Sequence, residues 1–255
     1  MPDSHAPHLH SCQFRFYGGL NDFLPAEKRY QASAFRFSGT PGLRDSIQAQ
    51  RVPHVEVALV LVNGQPQSAE YQLQPEDQIA VYPRFQHLQP ESSKQWHPPP
   101  PEPPRFILDV HLGKLCRHLR MLGFDTRWGN DYEDPFIIDT ALAEQRIVLT
   151  RDLGILKQAR LPWGYFVRAI EPTRQITEIT DYFTLADFWQ PLTRCINCNG
   201  MLARVSKDDI LEQLPPGTRR SYDNFYQCHD CRQLFWRGAH YIGLMAKLSG
   251  LQEKL

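Results

Sequence analysis

Residues 105–152, RFILDVHLGKLCRHLRMLGFDTRWGNDYEDPFIIDTALAEQRIVLTRD, decide how this chain is read. The apolar runs Phe106-Ile107-Leu108 and Ile147-Val148-Leu149-Thr150 have the length and composition of buried strands. Between them, Leu112, Leu115, Cys116, Leu119 and Leu122 follow helical spacing, and Gly123 is placed to end that helix. The stretch reads strand, helix, strand, helix, strand, the order of a parallel α/β sheet. Three aspartates fall where the chain leaves regular structure. Asp109 follows the first run, Asp134 precedes Pro135 and a helical pattern, and Asp152 follows Arg151 after the last run. In an open parallel sheet, the carboxyl ends of neighbouring strands converge on one crevice. Carboxylates gathered there repel one another unless cations separate them, and such hard oxygen ligands suit Mg²⁺ or Mn²⁺. They are the donor set of metal-assisted phosphodiester hydrolysis.

Each aspartate also has an ordinary reading. Asp is depleted from strands, so Asp109 has little structural reason to follow Phe-Ile-Leu. Asp134 before Pro135 is a good helix start, and Asp152 before Leu153–Ala159 can serve as a cap. Their joint placement on one expected edge favours ligation, with Asp131 in reserve and Glu133 and Asp139 facing solvent. Opposite the apolar face of the first helix stand Lys114, Arg117, His118 and Arg120. That face is either a solvated helix surface or a phosphate-tracking patch. Arg151 either contacts phosphate or closes a turn, and Cys116 reads as a small core residue.

Further on, Cys195-Ile196-Asn197-Cys198 and Cys228-His229-Asp230-Cys231 are two C-x-x-C knuckles, which together supply four thiolates for tetrahedral Zn²⁺. His229 is a weaker substitute ligand. A helix over Lys207–Gln213 and the turn Pro215-Pro216-Gly217 are expected between the knuckles. Arg219, Arg220, Arg232 and Arg237 alternate with Tyr222, Phe225, Tyr226 and Trp236. This set either stacks single-stranded RNA or packs around the knuckles.

The proline-rich stretch 89–104, with Pro98-Pro99-Pro100-Pro101 and Pro103-Pro104, reads as a semi-rigid spacer. Before it, strands are expected at Cys12–Tyr17, Val55–Val62 and Gln78–Tyr82, a short helix at Gly42–Gln50, and a hairpin turn at Asn63-Gly64. The product is a small α+β roll. His54 and His87 lack obvious partners there and read as surface residues, and His5, His8 and His10 belong to a frayed tail. The 28 basic and 28 acidic residues balance, so a nucleic-acid partner must be held by a local patch. No apolar run approaches the roughly 20 residues needed to span a bilayer, and no secretory signal stands at Met1–Ser11. The expectation is a cytoplasmic protein, with no membrane partner and with reduced or metal-bound cysteines.

The series Val52-Pro53-His54-Val55-Glu56-Val57, Leu61-Val62-Asn63-Gly64 and Pro75-Glu76-Asp77-Gln78-Ile79-Ala80-Val81-Tyr82-Pro83 resembles a ubiquitin-like β-grasp domain of the sulfur-carrier type. Those carriers end in Gly-Gly, whereas here Pro83 runs into Arg84-Phe85, so the resemblance implies the fold and a binding or positioning role towards a protein partner, and not sulfur transfer. Residues 106–126, with Leu112-Gly113-Lys114-Leu115-Cys116-Arg117-His118-Leu119-Arg120-Met121-Leu122-Gly123-Phe124-Asp125-Thr126, together with Arg146–Asp152, resemble the mut-seven C-terminal RNase family, a PIN-like nuclease group. That resemblance implies a PIN-like α/β core and a metal-dependent ribonuclease. Asp109 and Asp152 match its acidic positions, and Asp134 matches with a small shift. PIN nucleases assemble about four acids, and a fourth is not evident here. The expected organisation is a β-grasp domain at 10–88, a linker at 89–104, a PIN-like domain at 105–190 and a zinc-ribbon module at 191–245. RNA hydrolysis at Asp109, Asp134 and Asp152 is the expected activity, with Lys114, Arg117, Arg120 and Arg151 binding substrate. The alternative is a non-catalytic RNA- or ribosome-associated adaptor. Nothing in the sequence marks an oligomer interface.

Overall fold

The computed structural model describes residues 9–84 and 96–252. Residues 1–8, with His5 and His8, and residues 85–95, with His87 and the first part of the expected spacer, lie outside the described residues. The chain forms two compact units. The first comprises residues 1–100 and 152–166, and the second residues 101–151 and 167–255.

In the first unit, strands β1 (His10–Phe16), β2 (Ser33–Phe37), β3 (Val57–Val62), β4 (Gln65–Pro66) and β5 (Gln78–Pro83) form one sheet in the order β2-β1-β5-β3-β4. β1 and β5 run parallel and the other pairings are antiparallel. Helix α1 (Leu43–Ala49) buries Leu43 and Ile47 among Phe14, Val60 and Val81 of the sheet core. This mixed sheet with one helix is the β-grasp arrangement. Asn63 and Gly64 have φ of 51° and 79°, the left-handed pair that a two-residue hairpin with β4 requires. Trp96, midway along the expected spacer, joins the same core.

His54 is a correction to the reading above. It is 1% exposed, not a surface residue, and a short 3-10 turn over His54–Glu56 precedes β3 where a continuous strand was expected. Its Nε2 donates to the carbonyl of Leu161 at 3.0 Å, which leaves Nδ1 to accept from Gln48 Nε2 at 2.9 Å. Those roles require the neutral ring.

The second unit is built on a parallel sheet. β6 (Phe106–Leu108) is flanked by β7 (Thr126–Arg127) and β8 (Ile147–Thr150), with α2 (Gly113–Met121) and α3 (Asp134–Ala143) as the crossovers. All three residues of β6 are fully buried, as a central parallel strand demands. Gly123 ends α2 with φ of 99°, and a Cβ there would meet the Gln190 carbonyl oxygen at 2.3 Å. Only glycine fits. Past β8, the short helix α4 (Leu153–Leu156) and strand β9 (Gly164–Phe166) belong to the first unit, and Val167 returns the chain to the second. Helix α5 (Pro172–Phe183) packs against α2. The three-stranded sheet β10 (Leu202–Val205), β11 (Phe225–Cys228) and β12 (Leu234–Phe235) follows, with α6 (Pro216–Ser221) before β11 and α7 (Ala239–Gln252) after β12. The helix expected at Lys207–Gln213 is a 3-10 helix over Asp208–Gln213. No helix among the described residues is long and apolar enough to cross a membrane.

Burial, with smaller contributions from His97 and Arg44, pushes His54 down from its ordinary 6.5 to about 4. The unfolded chain therefore binds a proton that the folded chain refuses. Stability from this residue is complete above pH 6.5, falls as pH drops towards 4, and costs on the order of 3 kcal/mol across that window. Amide exchange of β1 and β5 in the intact chain should accelerate between pH 7 and pH 5 beyond the intrinsic pH effect, and the His54→Gln variant should lose that extra dependence.

Candidate active site and metal centre

Asp109 sits at the carboxyl end of the central strand β6, where its backbone amide still bonds the Leu149 carbonyl at 3.2 Å. The residue is 5% exposed. Its Oδ1 accepts from the amide of His111 at 2.9 Å, and its Oδ2 accepts from the Arg151 amide at 3.0 Å and from Thr150 Oγ1. A carboxylate offers about four acceptor directions, so about one remains for another ligand. Thr150 thus orients the acid, as a residue beside the site should. Asp152 is one peptide beyond Arg151. It is exposed, and its Oδ1 caps α4 by accepting from the Gly154 amide at 2.6 Å. Asp134 is exposed at the first turn of α3, with Pro135 next to it, as a helix start prescribes. Among the described residues, one group of three or more His, Cys, Asp or Glu has its ligand atoms all within 4.8 Å of one another, and it is made of cysteines; the aspartates do not form a second.

Two expected phosphate ligands have other duties. Arg120 is 5% exposed: Nε donates to the Thr126 carbonyl at 2.9 Å, and Nη1 donates to the carbonyls of Ile196 and Asn197 at 3.2 and 2.7 Å. It is a strut between α2 and the first knuckle, not a substrate contact, because a buried guanidinium committed to three carbonyls cannot turn to solvent. Arg151 closes a turn, with Nη1 donating to the carbonyls of Val167, Arg168 and Ala169 at 2.8–3.0 Å. Lys114 and Arg117 are exposed on α2, where phosphate can reach them.

Cys195, Cys198, Cys228 and Cys231 lie together with no disulfide among them. Cys195 Sγ is 3.6 Å from Cys231 Sγ, and Cys198 Sγ is 3.4 Å from Cys228 Sγ. A tetrahedral site with Zn–S bonds of about 2.3 Å has edges of about 3.8 Å, so the four sulfurs fit a metal such as zinc. Burial pushes the Cys195 thiol up to about 12, a cost that a cation offsets. His229 is exposed and stands outside this cluster. Phe225 is fully buried, with Ile210 and Leu214, against Tyr222, Leu234 and Trp236, so these aromatics pack as a small core beside the knuckles. Arg219, Arg220, Arg232 and Arg237 remain exposed. A cavity of about 430 Å³ lies between this core and α2, lined by Met121, Leu202, Tyr222, Trp236 and Tyr241.

Sequence reasoning missed the bond between knuckle and sheet. Arg146, 4% exposed, pairs with Asp125 Oδ1 at 2.9 Å and with Glu144 Oε2 at 2.5 Å. Asn199, directly after Cys198, donates to Asp125 Oδ1 at 2.7 Å and accepts from the Thr126 amide at 3.0 Å. Burial raises the Asp125 carboxyl, but hydrogen bonds from Arg146 and Asn199 outweigh it and hold the group below its ordinary range. The left-handed φ of 71° at Asn199 is the one local signal, since Asn tolerates that conformation after a metal knuckle.

A parallel α/β sheet with a buried acid at the end of its middle strand, fused to four gathered cysteines, defines a nuclease-like class with a zinc-ribbon type of module. Residues 104–248 match the model of the Mut7-C RNAse domain, and residues 10–89 match that of the Mut7-C ubiquitin domain. The chain belongs to the Mut7-C RNase domain family. No curated protein and no solved structure matches it.

The purified protein should carry one zinc per chain by elemental analysis, and Cys228→Ser should lose it and melt at lower temperature. Arg120→Ala should destabilise the second unit by about 3 kcal/mol, since it orphans buried carbonyls. Arg120→Lys should not rescue, because an ammonium cannot bridge the same three acceptors.

Proposed function

We propose that the protein is a cytoplasmic, metal-dependent ribonuclease that hydrolyses RNA phosphodiester bonds, with Asp109, Asp134 and Asp152 holding Mg²⁺ or Mn²⁺. The observation that carries this reading is Asp109, an acid buried at the carboxyl end of the central strand in a region matched by an RNase-domain family. Its oxygen donors suit a hard divalent ion, and about one acceptor direction is left open. The ion supplies Lewis acidity towards the phosphate and makes attack by water easier. The chain's own part is orientation. Thr150 and the amides of His111 and Arg151 hold the Asp109 carboxylate in one orientation, so that little reorganisation is needed when charge develops. Lys114 and Arg117 on α2 supply sequence-independent affinity for the RNA backbone, and zinc at the four cysteines is structural.

A second reading, an RNA- or ribosome-associated adaptor, draws support from the same residue. Three donors already occupy Asp109, and no acidic trio meets within 4.8 Å among the described residues. Labelled RNA and DNA, incubated with Mn²⁺, Mg²⁺ or EDTA, separate the readings. The nuclease predicts RNA cleavage that EDTA stops, and a fall on the order of 100-fold or more in Asp109→Asn and in Asp152→Asn. Asp152→Asn is the cleaner variant, because that side chain is exposed at the start of a short helix, whereas Asp109 is buried. Tight RNA binding without turnover favours the adaptor.

A further inference from the structure

The second unit holds a cavity that neither the aspartates nor the cysteine centre uses. Its volume of about 430 Å³ lies in the range of small-ligand sites, and its walls are largely apolar. Tyr222, Trp236 and Tyr241 line it and are half-buried, whereas Phe225 beneath them is sealed, so aromatic surface is left in contact with solvent. One charged side chain stands in the wall. Arg194 Nη1 donates to the Asn199 carbonyl at 3.2 Å, and Nη2 is 3.7 Å from Asp125 Oδ2. A guanidinium has five N–H donors, so two such contacts leave it able to meet a further acceptor. Among the described residues, no acid lines the cavity. Arg219 and Arg220, which lie in sequence between the lining residues Thr218 and Tyr222, are exposed. The exposed Arg237 guanidinium is 5.9 Å from the ring centroid of Tyr241.

Helix α2 joins this cavity to the carboxyl end of the sheet. Lys114, Arg117 and Met121 stand at i, i+3 and i+7, which places them on one face of the helix. Lys114 and Arg117 are exposed, and Met121 is in the cavity wall. The nine residues of α2 rise about 13 Å, the length of about four stacked nucleotides. We propose that the cavity takes one unstacked base of single-stranded RNA. The phosphates beside that base are held by Arg194 and the arginines of the rim, and the strand runs along α2 past Arg117 and Lys114 towards Asp109. This deepens the RNA reading and rests on it, as nuclease or as adaptor, but needs no turnover. Nucleic acid is favoured over an apolar peptide because the rim is cationic and the wall carries no acid, and a π-face flanked by phosphates uses both features. A duplex does not fit, since its bases are already stacked and paired. The wall offers aromatic faces and few polar groups, so it accepts any base with little sequence preference.

The test uses the full zinc-loaded chain without Mg²⁺ or Mn²⁺, so that bound RNA stays intact. A fluorescein-labelled single-stranded RNA is compared with its duplex and with the same strand carrying abasic sites, which keep the phosphates and lose the bases. The single strand should bind on the order of 10-fold more tightly than either. Ala239→Trp puts a large side chain into the cavity from an exposed position, and Tyr241→Ala removes a ring from its wall. Each should abolish that preference while zinc content and the amide protection of β10 and β11 stay as they are. With iodouridine in the strand, light should attach the RNA to Tyr222, Trp236 or Tyr241 of the unaltered protein, as mapped by mass spectrometry. An abasic strand that binds as well as its parent overturns the proposal, as do photoproducts confined to residues outside the cavity. RNA that fails to bind where an acidic, tyrosine-bearing peptide does overturns it in favour of a protein partner. If RNA attaches in the cavity but is never cleaved once Mn²⁺ is added, the ribonuclease reading fails and the base site stands. If cleavage is seen and both variants leave its KM and kcat unchanged, the base site is overturned and the nuclease stands.

Discussion

Burying the Arg146 guanidinium sets the terms for the second unit. A cation that is 4% exposed needs charged partners and carbonyls on every side, and the chain supplies Asp125, Glu144 and the Phe106 carbonyl. Those partners come from the start of β6, the loop before β7 and the end of α3, so one side chain brings the amino-terminal edge of the sheet into register. Asp125 then hands the constraint on through Asn199 to the first knuckle, and Arg120 repeats it from α2. The cysteine module is therefore part of the RNase unit rather than an appendage. Removing one member of such a network is expensive because it leaves its partners buried and unpaired.

The two ends of the same sheet divide the labour. At the amino-terminal edge, charges neutralise one another and are used up in structure. At the carboxyl edge, Asp109 has hydrogen-bond donors around it but no cationic side chain among its bonded partners. Under the proposed reading, a carboxylate that is held yet not paired with a cationic side chain leaves a place for a hard divalent ion.

Much of the architecture was legible because it rests on short-range patterns. Buried parallel strands need continuous apolar runs, a helix end needs Gly123, and a tetrahedral metal needs paired C-x-x-C, so β6, α2, β8 and the cysteine centre could all be read directly. The Asn63-Gly64 hairpin was equally plain. What could not be read was which charged residues face inward. Arg120 stands on α2 with Lys114 and Arg117, and helical spacing alone assigns all three to the polar face. Its burial comes from the carbonyls of Ile196 and Asn197, about 76 residues away. His54 was misjudged for the same reason, as its partner Leu161 lies 107 positions on. Long-range satisfaction of polar groups leaves no periodic trace in a sequence. The aspartates mark the intermediate case, since capping and ligation favour the same residue at the same place.

The discontinuous first unit bears on why a β-grasp fold accompanies this RNase core. Its last strand ends at Pro83, and no Gly-Gly stands between that strand and the RNase region. The core of its sheet accepts two apolar side chains, Leu153 and Phe166, from the RNase-family region. Two crossings of the chain, at 151–152 and 166–167, then join the units in addition to the one at 100–101. A segment tethered at both ends and docked in between loses far less entropy on ordering than a free partner would, so modest contacts suffice to hold it.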